Sequence, residues 1–553
     1  HCDFPLSYID FDIEPRYLTC IDEVYNHYKY YEITFDKDNL RTNVRYGRIG
    51  ADKNDTFGER EYDYPLSMYW VKYYEKLSKG YEDKSELKDF DNRQKKGTEY
   101  EPVKDKYSKS LIEFLIRKQK DYVESNYSTG AAFSMEAVKK SEKILEELKA
   151  YADSSFSNKQ FKIRELFKEL VTILPRRIAD VSNYLNYITG LSSEALMEHI
   201  EQEEDLLNNF KDLYVKKENE AEEKADNKDI LEANNLTATC TDYKDIHMIE
   251  DKLDKDMAAM KTVLAVKNKY TNDRYIACKK EKGIENRGCH LLWHGSRTEN
   301  WWSIFKNGLT LNNNAIVTGK MFGQGLYFAP KAEKSMNYTS SLGSYWTGGN
   351  DKTGFMALYA VAMGKPYEID HALSSYFTEK DLKHGCHSVW GKAGRHLRND
   401  ECIIYDERQC DIKFLLEVDR EREKYLTPEF IKAARNIKLN QLKADKNGLR
   451  AYMSLRTPDS TFNRLNMDKN NKVEFIYTYD NTLTIKAYDK ELKSSEKELK
   501  FNSYQTDYLK MMFKENFTSN DREFDMLLEE KQKEVQKPKT KVKKKEIEMS
   551  LLA

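Results

Sequence analysis

Alternating apolar and polar residues open the chain, and runs with helical spacing follow them. YYEITF and VRYGRIG alternate as strands do, and the turn-forming residues 36–39 lie between them. SMYWVKYYEKL then places its aromatic side chains at helical spacing. After a lead-in over residues 1–16, this pattern predicts a small antiparallel sheet with one helix over residues 17–90.

Helical spacing dominates the next part of the chain. Residues 91–107 are strongly charged and poor in apolar side chains, which predicts a linker. LIEFLI, KILEELKAY and residues 161–173 then carry apolar side chains at helical spacing, and Pro175 ends the third of these segments. We therefore predict an all-α bundle over residues 108–226.

Residues 233–418 combine apolar runs typical of strands with signals for helix starts and ends. LLWH and LYFA are short apolar runs typical of buried strands, and FMALYAVAMG and DIKFLLEV are longer ones. Thr298 is placed to cap a helix that Asn307 and Gly308 end, and Pro330 opens a second helix. CHSVWGKAGR is typical of a glycine-bearing loop. The segment as a whole predicts one mixed α+β domain.

The remainder of the chain predicts a further α+β extension, over residues 421–530. Residues 421–450 have helical character, KVEFIYTYDNTLTIKAYD predicts a hairpin that turns at Asp480 and Asn481, and SYQTDYLKMMFKENF predicts a helix. No role follows from these patterns. Residues 531–553 form a lysine-dense tail that is compatible with nuclear import, with a loose nucleic-acid contact or with a plain solvated terminus.

Composition sets wider bounds on this multidomain α+β architecture. A chain of 553 residues is too long for one core, and a mean hydropathy of -0.82 with 33% charged residues indicates a strongly solvated surface. The net charge of -2 gives no overall preference for nucleic acid, so any such contact must be local. Eight scattered cysteines lack CxxC pairs and zinc spacing, which predicts free thiols in a reducing compartment and no metal site.

Targeting signals are missing from the sequence as given. Apolar runs stay far below the length of a membrane span, and the acidic start has no signal-peptide core. We therefore expect no membrane partner. The chain opens on His1 rather than methionine, which indicates a trimmed chain or a fragment.

The densest cluster of special residues lies between Leu291 and Tyr338. Two short strands end there beside the bare backbone of Gly323 and Gly325, and a helix follows. Strand ends next to glycine loops let a ligand approach the backbone closely. The polar side chains delivered to this point suit a flat, polar ligand; they are His294, Ser296, Tyr327, Ser335 and Tyr338.

This stretch resembles the NAD-binding core of the poly(ADP-ribose) polymerase catalytic domain. The strings WHGSR, VTG-x-MFG-x-G-x-YFA and K-S-x-N-Y stand in that family's order and spacing. The resemblance implies an NAD-binding set in which His294 bonds the adenosine-side ribose, Gly295 and Ser335 hold the nicotinamide amide, Tyr338 and Tyr327 flank the nicotinamide ring, and Ser296 and Arg297 line the cleft.

The same resemblance supplies a catalytic set. Glu401 opens the run ECIIYD in an N-E-x-I-x-Y-D-like setting, with Asp400 where the family more often has asparagine. Glu401 would act at the ribose 2′-hydroxyl while nicotinamide leaves through an oxocarbenium-like transition state, without a metal. His294, Tyr327 and Glu401 together are similar to the set of chain-elongating members, and Lys334 corresponds to a lysine on the acceptor side. Thr310 departs from members that carry an adenine-side arginine.

Upstream, Tyr46-Gly47-Arg48 resembles the signature tripeptide of the WGR domain, with tyrosine in place of tryptophan. The resemblance implies that Tyr46 and Arg48 contact DNA or a neighbouring domain, although an ordinary strand pair accounts for them equally well locally. The all-α block that follows is similar in position to the family's helical regulatory domain. Such a bundle would cover the NAD site until an activating signal loosens it.

Together these resemblances predict a nuclear poly(ADP-ribose) polymerase. It would use NAD as its substrate, modify acceptor proteins including itself, and respond to damaged DNA. Two alternatives stay open. One is a mono-ADP-ribosyltransferase in which Asp400 or the loop CHSVWGKAGR blocks elongation, and the other is an NAD-binding or DNA-binding module with little turnover.

Overall fold

The computed structural model describes most of the chain in fourteen ordered stretches. They cover residues 13–50, 60–90, 101–127, 133–152, 154–176, 178–214, 228–311, 321–336, 353–374, 377–394, 397–454, 472–488, 497–518 and 520–536. Tyr338 and the lysine-rich end of the tail lie outside the described residues.

The N-terminal unit is a five-stranded antiparallel sheet backed by one helix. Its strands run in the order β4-β3-β2-β1-β5. They are β1 (Arg16–Asp22), β2 (His27–Asp36), β3 (Arg41–Arg48), β4 (Arg60–Pro65) and β5 (Glu82–Asp83), and the helix is α1 (Met68–Ser78). Alternate strand residues and the helix share one apolar core around Leu18, Ile33 and Tyr69.

The described part of the predicted α-helical block contains five helices. They are α2 (Lys109–Asn126), α3 (Met135–Ala152), α4 (Lys159–Ile173), α5 (Val181–Thr189) and α6 (Ser193–Tyr214). The hydroxyl of Ser134 accepts a hydrogen bond from the amide of Ala137 at 3.1 Å and so caps the start of α3. The first turns of α2, with Leu111, Ile112 and Leu115, pack into the core of the following domain, whereas Tyr122 and Val123 near its end pack into the bundle.

The central domain is built on two sheets. The larger sheet has the order β6-β7-β14-β10-β8 and the smaller one β11-β12-β13-β9. Its strands are β6 (Leu236–Cys240), β7 (Met260–Asn268), β8 (Cys289–Ser296), β9 (Leu326–Phe328), β10 (Thr353–Ala362), β11 (Pro366–Ile369), β12 (Ser388–Gly391), β13 (Glu401–Ile404) and β14 (Cys410–Asp419), and its helices are α7 (Ile230–Ala233), α8 (Tyr243–Leu253), α9 (Lys269–Glu281), α10 (Trp301–Asn307) and α11 (Ala332–Met336).

Two features of this domain matter for the site. A bridge between Trp293 and Ala329 joins β8 of the large sheet to the end of β9 in the small sheet. CHSVWGKAGR was expected to be a loop, but its Ser388–Gly391 part forms β12, which pairs with both β11 and β13. The prediction was wrong because glycine in this run permits close packing of β12 against its neighbours, instead of breaking the strand.

The C-terminal extension completes the fold with α12 (Pro428–Arg435), α13 (Ser503–Glu515), α14 (Asp521–Gln536) and a five-stranded sheet. The strands follow the order β15-β16-β17-β18-β19 and are β15 (Lys438–Ala444), β16 (Gly448–Ser454), β17 (Lys472–Thr478), β18 (Leu483–Tyr488) and β19 (Lys497–Leu499). The predicted hairpin is present, and Asn481 takes its positive φ of 67°. The helical prediction for residues 421–450 was wrong over β15, because pairing with β16 overrides the local spacing.

This extension shares a core with the central domain. Apolar side chains of α12, α13 and the C-terminal sheet pack in one continuous cluster with Leu253, Trp293 and Met356. The extension therefore packs against β8, the strand that carries His294. Within the described ranges, the helices fall short of the length and apolar character that crossing a membrane requires.

Candidate active site

His294 lies near the end of β8, and its ring is neutral with the proton on Nδ1. Its Nδ1 is 3.0 Å from the carbonyl oxygen of Tyr327, so Nδ1 carries the proton and donates. Burial lowers the pKa of His294 to about 4, against the smaller raising effect of this bond. Its Nε2 is buried and has no hydrogen-bond partner among the described residues. The ring therefore presents a neutral acceptor, of the kind that a ligand hydroxyl would satisfy.

Gly295 allows β8 and α11 to touch. A Cβ at this position would lie 2.2 Å from the carbonyl oxygen of Ser335 and 3.0 Å from its carbonyl carbon. Only glycine therefore permits the helix to approach the strand this closely. Ser335 itself is buried beside this contact. The strand and the helix therefore bring the backbones of Gly295 and Ser335 together.

Gly295→Ala is expected to weaken NAD binding about tenfold, because the added methyl pushes α11 and Ser335 away from β8 at a cost of roughly 1–3 kcal/mol. Calorimetric titration with NAD measures the effect, and the melting temperature shows whether the fold survives. Gly394→Ala serves as the matched control, since a Cβ there meets no atom within 4 Å. Unchanged NAD affinity in a folded Gly295→Ala protein would contradict this assignment.

Tyr327, in the middle of β9, fixes the glycine loop that precedes it. Its hydroxyl donates to the carbonyl oxygen of Gly323 at 2.9 Å and accepts the amide N–H of Phe322 at 3.1 Å. Burial raises the pKa of Tyr327, so the hydroxyl keeps its proton at neutral pH. The ring is thus held as a rigid, partly exposed surface beside the carbonyl group that orients His294.

Glu401 is the first residue of β13 and is 7% exposed. Its carboxylate contacts the ammonium group of Lys334 on α11. Burial lowers the pKa of Lys334 to about 8, so this cation gives up its proton more readily than a surface lysine. Because β13 pairs with β9, Glu401 lies on the same small sheet as Tyr327.

Asp400 precedes Glu401 but turns to the other side. Its carboxylate accepts the indole N–H of Trp390 at 2.8 Å and the amide N–H of Ala393 at 2.7 Å. Burial raises the pKa of Asp400, and these hydrogen bonds lower it by more, so the net shift is downward. The Asp400 carboxylate, which the sequence places next to Glu401, therefore forms its hydrogen bonds within the β12–β13 connection.

Helix α6 packs against the segment that follows β8. The carboxylate of Glu201, itself buried, is near enough to Tyr327 to raise the pKa of that tyrosine beyond the effect of burial. Arg297 was expected to line the cleft, but it is only 3% exposed because α6 and α2 pack over it. On the same face, Asp205 accepts a bond from Asn300 at 2.9 Å.

The two residues of the N-terminal tripeptide have different surroundings. The ring of Tyr46 stacks between Tyr31, at 5.5 Å between centroids, and Tyr62, at 6.0 Å. The guanidinium of Arg48 donates to the backbone carbonyl oxygens of Ile178 and Ala179 at 3.0 and 2.8 Å. Arg48 thus joins the N-terminal sheet to the segment between α4 and α5.

Two groups at this site were missing from the sequence-based set. The polar face of α6 includes Glu201, Asp205 and Asn209, and its residues carried no signal beyond ordinary helical spacing. Trp390 was part of a presumed loop. The pairing of an indole with a carboxylate ten residues later becomes visible only when β12 and β13 lie side by side.

Comparison with known proteins places this cleft in a family context. The family profile described as the poly(ADP-ribose) polymerase catalytic domain matches residues 242–396. The poly [ADP-ribose] polymerase-like protein 100L of Invertebrate iridescent virus 6 is 30% identical over 186 residues, which is 32% of this chain and 94% of the viral protein.

Two cellular relatives match over a smaller share of their length. Poly [ADP-ribose] polymerase 1 of Gallus gallus is 36% identical over 166 residues, 25% of this chain and 15% of the relative. Poly [ADP-ribose] polymerase 2 of Homo sapiens is 38% identical over 160 residues, 23% of this chain and 26% of the relative. The chain therefore covers well under two thirds of these longer proteins.

Proposed function

The chain belongs to the poly(ADP-ribose) polymerase family, and from this premise we propose that it transfers ADP-ribose from NAD to proteins, itself included, and extends the product into a chain. The observation that carries the proposal is that the strands bearing His294, Tyr327 and Glu401 are linked to one another through β9. His294 and Tyr327 are joined by a hydrogen bond, and Tyr327 and Glu401 lie on paired strands.

The residues fit NAD as a substrate. The buried Nε2 of His294 is an acceptor without a described partner, which suits a ribose hydroxyl donor. The Gly295–Ser335 wall offers backbone groups and a hydroxyl, which suit the nicotinamide amide. The flat face of Tyr327 suits an aromatic ring. Tyr338, the second predicted ring partner, lies outside the described residues.

In the proposed reaction, the bond between C1′ of the ribose and the nicotinamide nitrogen breaks, and its electron pair leaves with nicotinamide. Positive charge develops at C1′, and the buried carboxylate of Glu401 stabilises it through the neighbouring 2′-hydroxyl. The acceptor oxygen then bonds to C1′ and its proton is lost to Glu401 or to solvent.

One experiment tests this function against its alternatives. The protein is incubated with labelled NAD, with and without nicked DNA, and the products are separated on a gel. A high-mass smear with nicotinamide release supports polymer formation, and a discrete shift supports single transfer. If no nicotinamide is released under either condition, the enzymatic proposal is wrong.

We also propose that the helical block regulates the cleft and that damaged DNA in the nucleus is the signal. This rests on a continuous series of contacts. The hydroxyl of Tyr28 in the N-terminal sheet accepts the amide N–H of Arg176 at 2.8 Å and donates to the carbonyl of Val171 at 3.2 Å. Arg48 bonds the next segment, and the Arg176 side chain donates to Glu203 of α6. Glu201, on the same helix, is close enough to Tyr327 to raise the pKa of that tyrosine. DNA bound at the N-terminal sheet would strain this series and loosen α6.

The contact between α6 and the central domain is expected to depend on pH through Asp205. Burial raises the pKa of Asp205 from its ordinary value of 3.8 to about 6, against the lowering effects of Arg297 and Asn300. A carboxyl whose pKa is higher when covered takes up a proton on covering, so falling pH through about 6 favours the covered form. Between pH 7.5 and 5.5, the DNA-free rate should fall about fourfold relative to the DNA-stimulated rate.

Rate ratios measured across this pH range, with the Asp205→Asn variant as comparison, test the assignment. Asparagine does not titrate, so the ratio in the variant should stay flat. A wild-type ratio that rises on acidification, or an equal slope in the variant, would exclude Asp205 as the titrating group.

A further inference from the structure

The two ends of the helical block are attached to the central domain side by side. Residues 101–107, the entry segment, lead into α2, and residues 228–232 follow the block. Glu101 forms a parallel bridge with Asp229, and Val103 is buried in the core of the central domain. A change in the tilt of α2 must therefore pivot between Val103 and the first turn of this helix.

Asp105 sets the direction in which α2 leaves the entry segment. Its side-chain Oδ1 accepts the amide N–H groups of Tyr107 and Ser108 at 3.0 and 3.1 Å. Its backbone carbonyl accepts the amide of Lys109 at 3.0 Å. These three bonds fix the backbone at the start of the helix, so the position of the entry segment determines the tilt of α2.

Helix α2 connects the entry segment to α6. The side-chain amide of Gln119 donates to the oxygen of Asn209 and to the carboxylate of Asp212, each at 2.9 Å. Asn209 and Asp212 also bond Asn300 and Asn307 of the central domain. Because the same two side chains of α6 bind both partners, a tilt of α2 acts directly on the contact between α6 and the central domain.

The C-terminal extension binds the entry segment through one face of α14. Asp521 and Asp525 lie one turn apart at the start of this helix. Asp521 accepts the hydroxyl of Tyr243, in helix α8 of the central domain, at 2.8 Å. Asp525 accepts the hydroxyl of Tyr107 at 2.5 Å and lies 2.9 Å from the ammonium of Lys106. One helix end therefore bonds both the central domain and the entry segment.

The start of α14 is itself fixed in the core that the extension shares with the central domain. The fully buried ring of Phe524 contacts the rings of Tyr477 and Phe513, with centroids 5.3 and 6.0 Å apart. The neighbouring Arg522 contacts the carboxylate of Asp105. Helix α14 thus has a set position on the central unit, from which it holds the pivot of α2.

We propose that the C-terminal extension takes part in regulation, because the start of α14 fixes the tilt of α2 and so keeps α6 docked on the central domain. This inference rests on the proposed regulation of the cleft by the helical block. Helix α2 cannot tilt without turning Lys106 and Tyr107 away from Asp525. The contact therefore belongs to the docked form and shifts the equilibrium towards it.

The full chain carrying Asp525→Ala tests the proposal, with Tyr107→Phe as a milder second variant. Asp525→Ala removes both bonds to the entry segment, so the DNA-free rate should rise roughly tenfold, and Tyr107→Phe should raise it about threefold. The rate with saturating DNA should not change. Combining the two substitutions should add little to Asp525→Ala, because both remove the same bond.

Tyr243→Phe is the matched control, since Tyr243 bonds the same helix from the central domain and not from the entry segment. Its DNA-free rate should equal that of the wild type. A rise in Tyr243→Phe as large as that in Tyr107→Phe would show a general loss of packing and would overturn the role given to the entry segment.

Amide hydrogen exchange separates this proposal from the proposed enzyme function, because it does not require catalysis. In Asp525→Ala, exchange should accelerate about tenfold in residues 109–115 and in α6, and stay constant in the control. If wild-type protein releases no nicotinamide, the enzymatic proposal fails and exchange still decides the role of α14. Unchanged exchange of α6 in Asp525→Ala would overturn that role.

A further comparison separates the extension from the helical block. Replacing Asn209 and Asp212 by alanine weakens the docking of α6 directly. If that change raises the DNA-free rate while Asp525→Ala leaves it unchanged, regulation by the block stands and the C-terminal extension has no part in it.

Discussion

Glu401→Gln is expected to stop chain growth while NAD still binds. The substitution keeps the shape of the side chain and removes the negative charge that would stabilise the ribose cation, so polymer formation should fall by about 10³-fold. The groups that suit NAD, on β8, β9 and α11, are left in place. Glutamine keeps a side-chain oxygen that can accept a hydrogen bond from the Lys334 ammonium group, so the fold should tolerate the change.

Three measurements on the Glu401→Gln variant distinguish chemistry from binding. They are the polymer yield on a gel, the rate of nicotinamide release and the NAD affinity by calorimetry. Glu285→Gln is the matched control, because its carboxylate is 68% exposed and belongs to a surface ion pair with Arg287. Equal polymer yield from Glu401→Gln and wild type would refute the role given to Glu401. A loss of NAD affinity equal to the loss of rate would place Glu401 in binding instead.

The elements around the NAD-facing wall followed from the sequence because their signals are local. Each of the strands with His294 and Tyr327 is an apolar run next to glycine, and Ser335 lies on the helix after Pro330. The predicted cap at Thr298 was wrong, because α10 begins at Trp301 after Asn300, and the Thr298 hydroxyl has no hydrogen-bond partner among the described residues. The helix stop at Gly308 also rests on neighbouring residues, and Gly308 takes the expected positive φ of 77°. Short-range chemistry of this kind survives in almost any tertiary context.

The cover over the cleft could not be predicted in the same way. A helix was expected near α6, but the partners that bury its polar face, such as Arg297 and Asn300, come about ninety residues later in the chain. Charged side chains at helical spacing predict a solvated face unless the opposing surface is known. The helical prediction over β15 was wrong for a related reason. The conformation of this segment depends on its pairing with β16 rather than on the spacing of its own apolar residues.

The contacts of α6 also suggest a sharper test of regulation than removal of the whole block. Asn209 donates to the side-chain oxygen of Asn300 at 2.7 Å. Asp212 pairs with the ammonium of Lys306 at 2.8 Å and accepts from Asn307 at 3.0 Å. These bonds join α6 to the central domain. Deleting residues 108–226 would also remove apolar residues of α2 from the core of the central domain. A change in rate could then come from release of the cleft or from unfolding of that domain.

Replacing both Asn209 and Asp212 by alanine is expected to raise the DNA-free rate about thirtyfold, or to the DNA-stimulated rate if that ceiling is reached first. In the variant, the partner groups on the central domain lack hydrogen bonds only while α6 is docked. Once α6 has moved away, water satisfies these groups. Two such losses disfavour the docked form by roughly 2–3 kcal/mol, which shifts the covered-to-open ratio by about 30- to 160-fold. The rate with saturating DNA should not change, because the open form itself is unaltered.

Glu194→Gln is the matched control for this double variant, since it removes a charge from the exposed first turn of the same helix without touching the central domain. Amide exchange of α6 should accelerate in the double variant and stay constant in the control. If α6 loses protection and the DNA-free rate remains low, the cover does not limit access of NAD, and the signal that starts the reaction must act on the catalytic residues themselves. If exchange and rate rise together, the buried polar face of α6 is the element that a DNA signal has to displace.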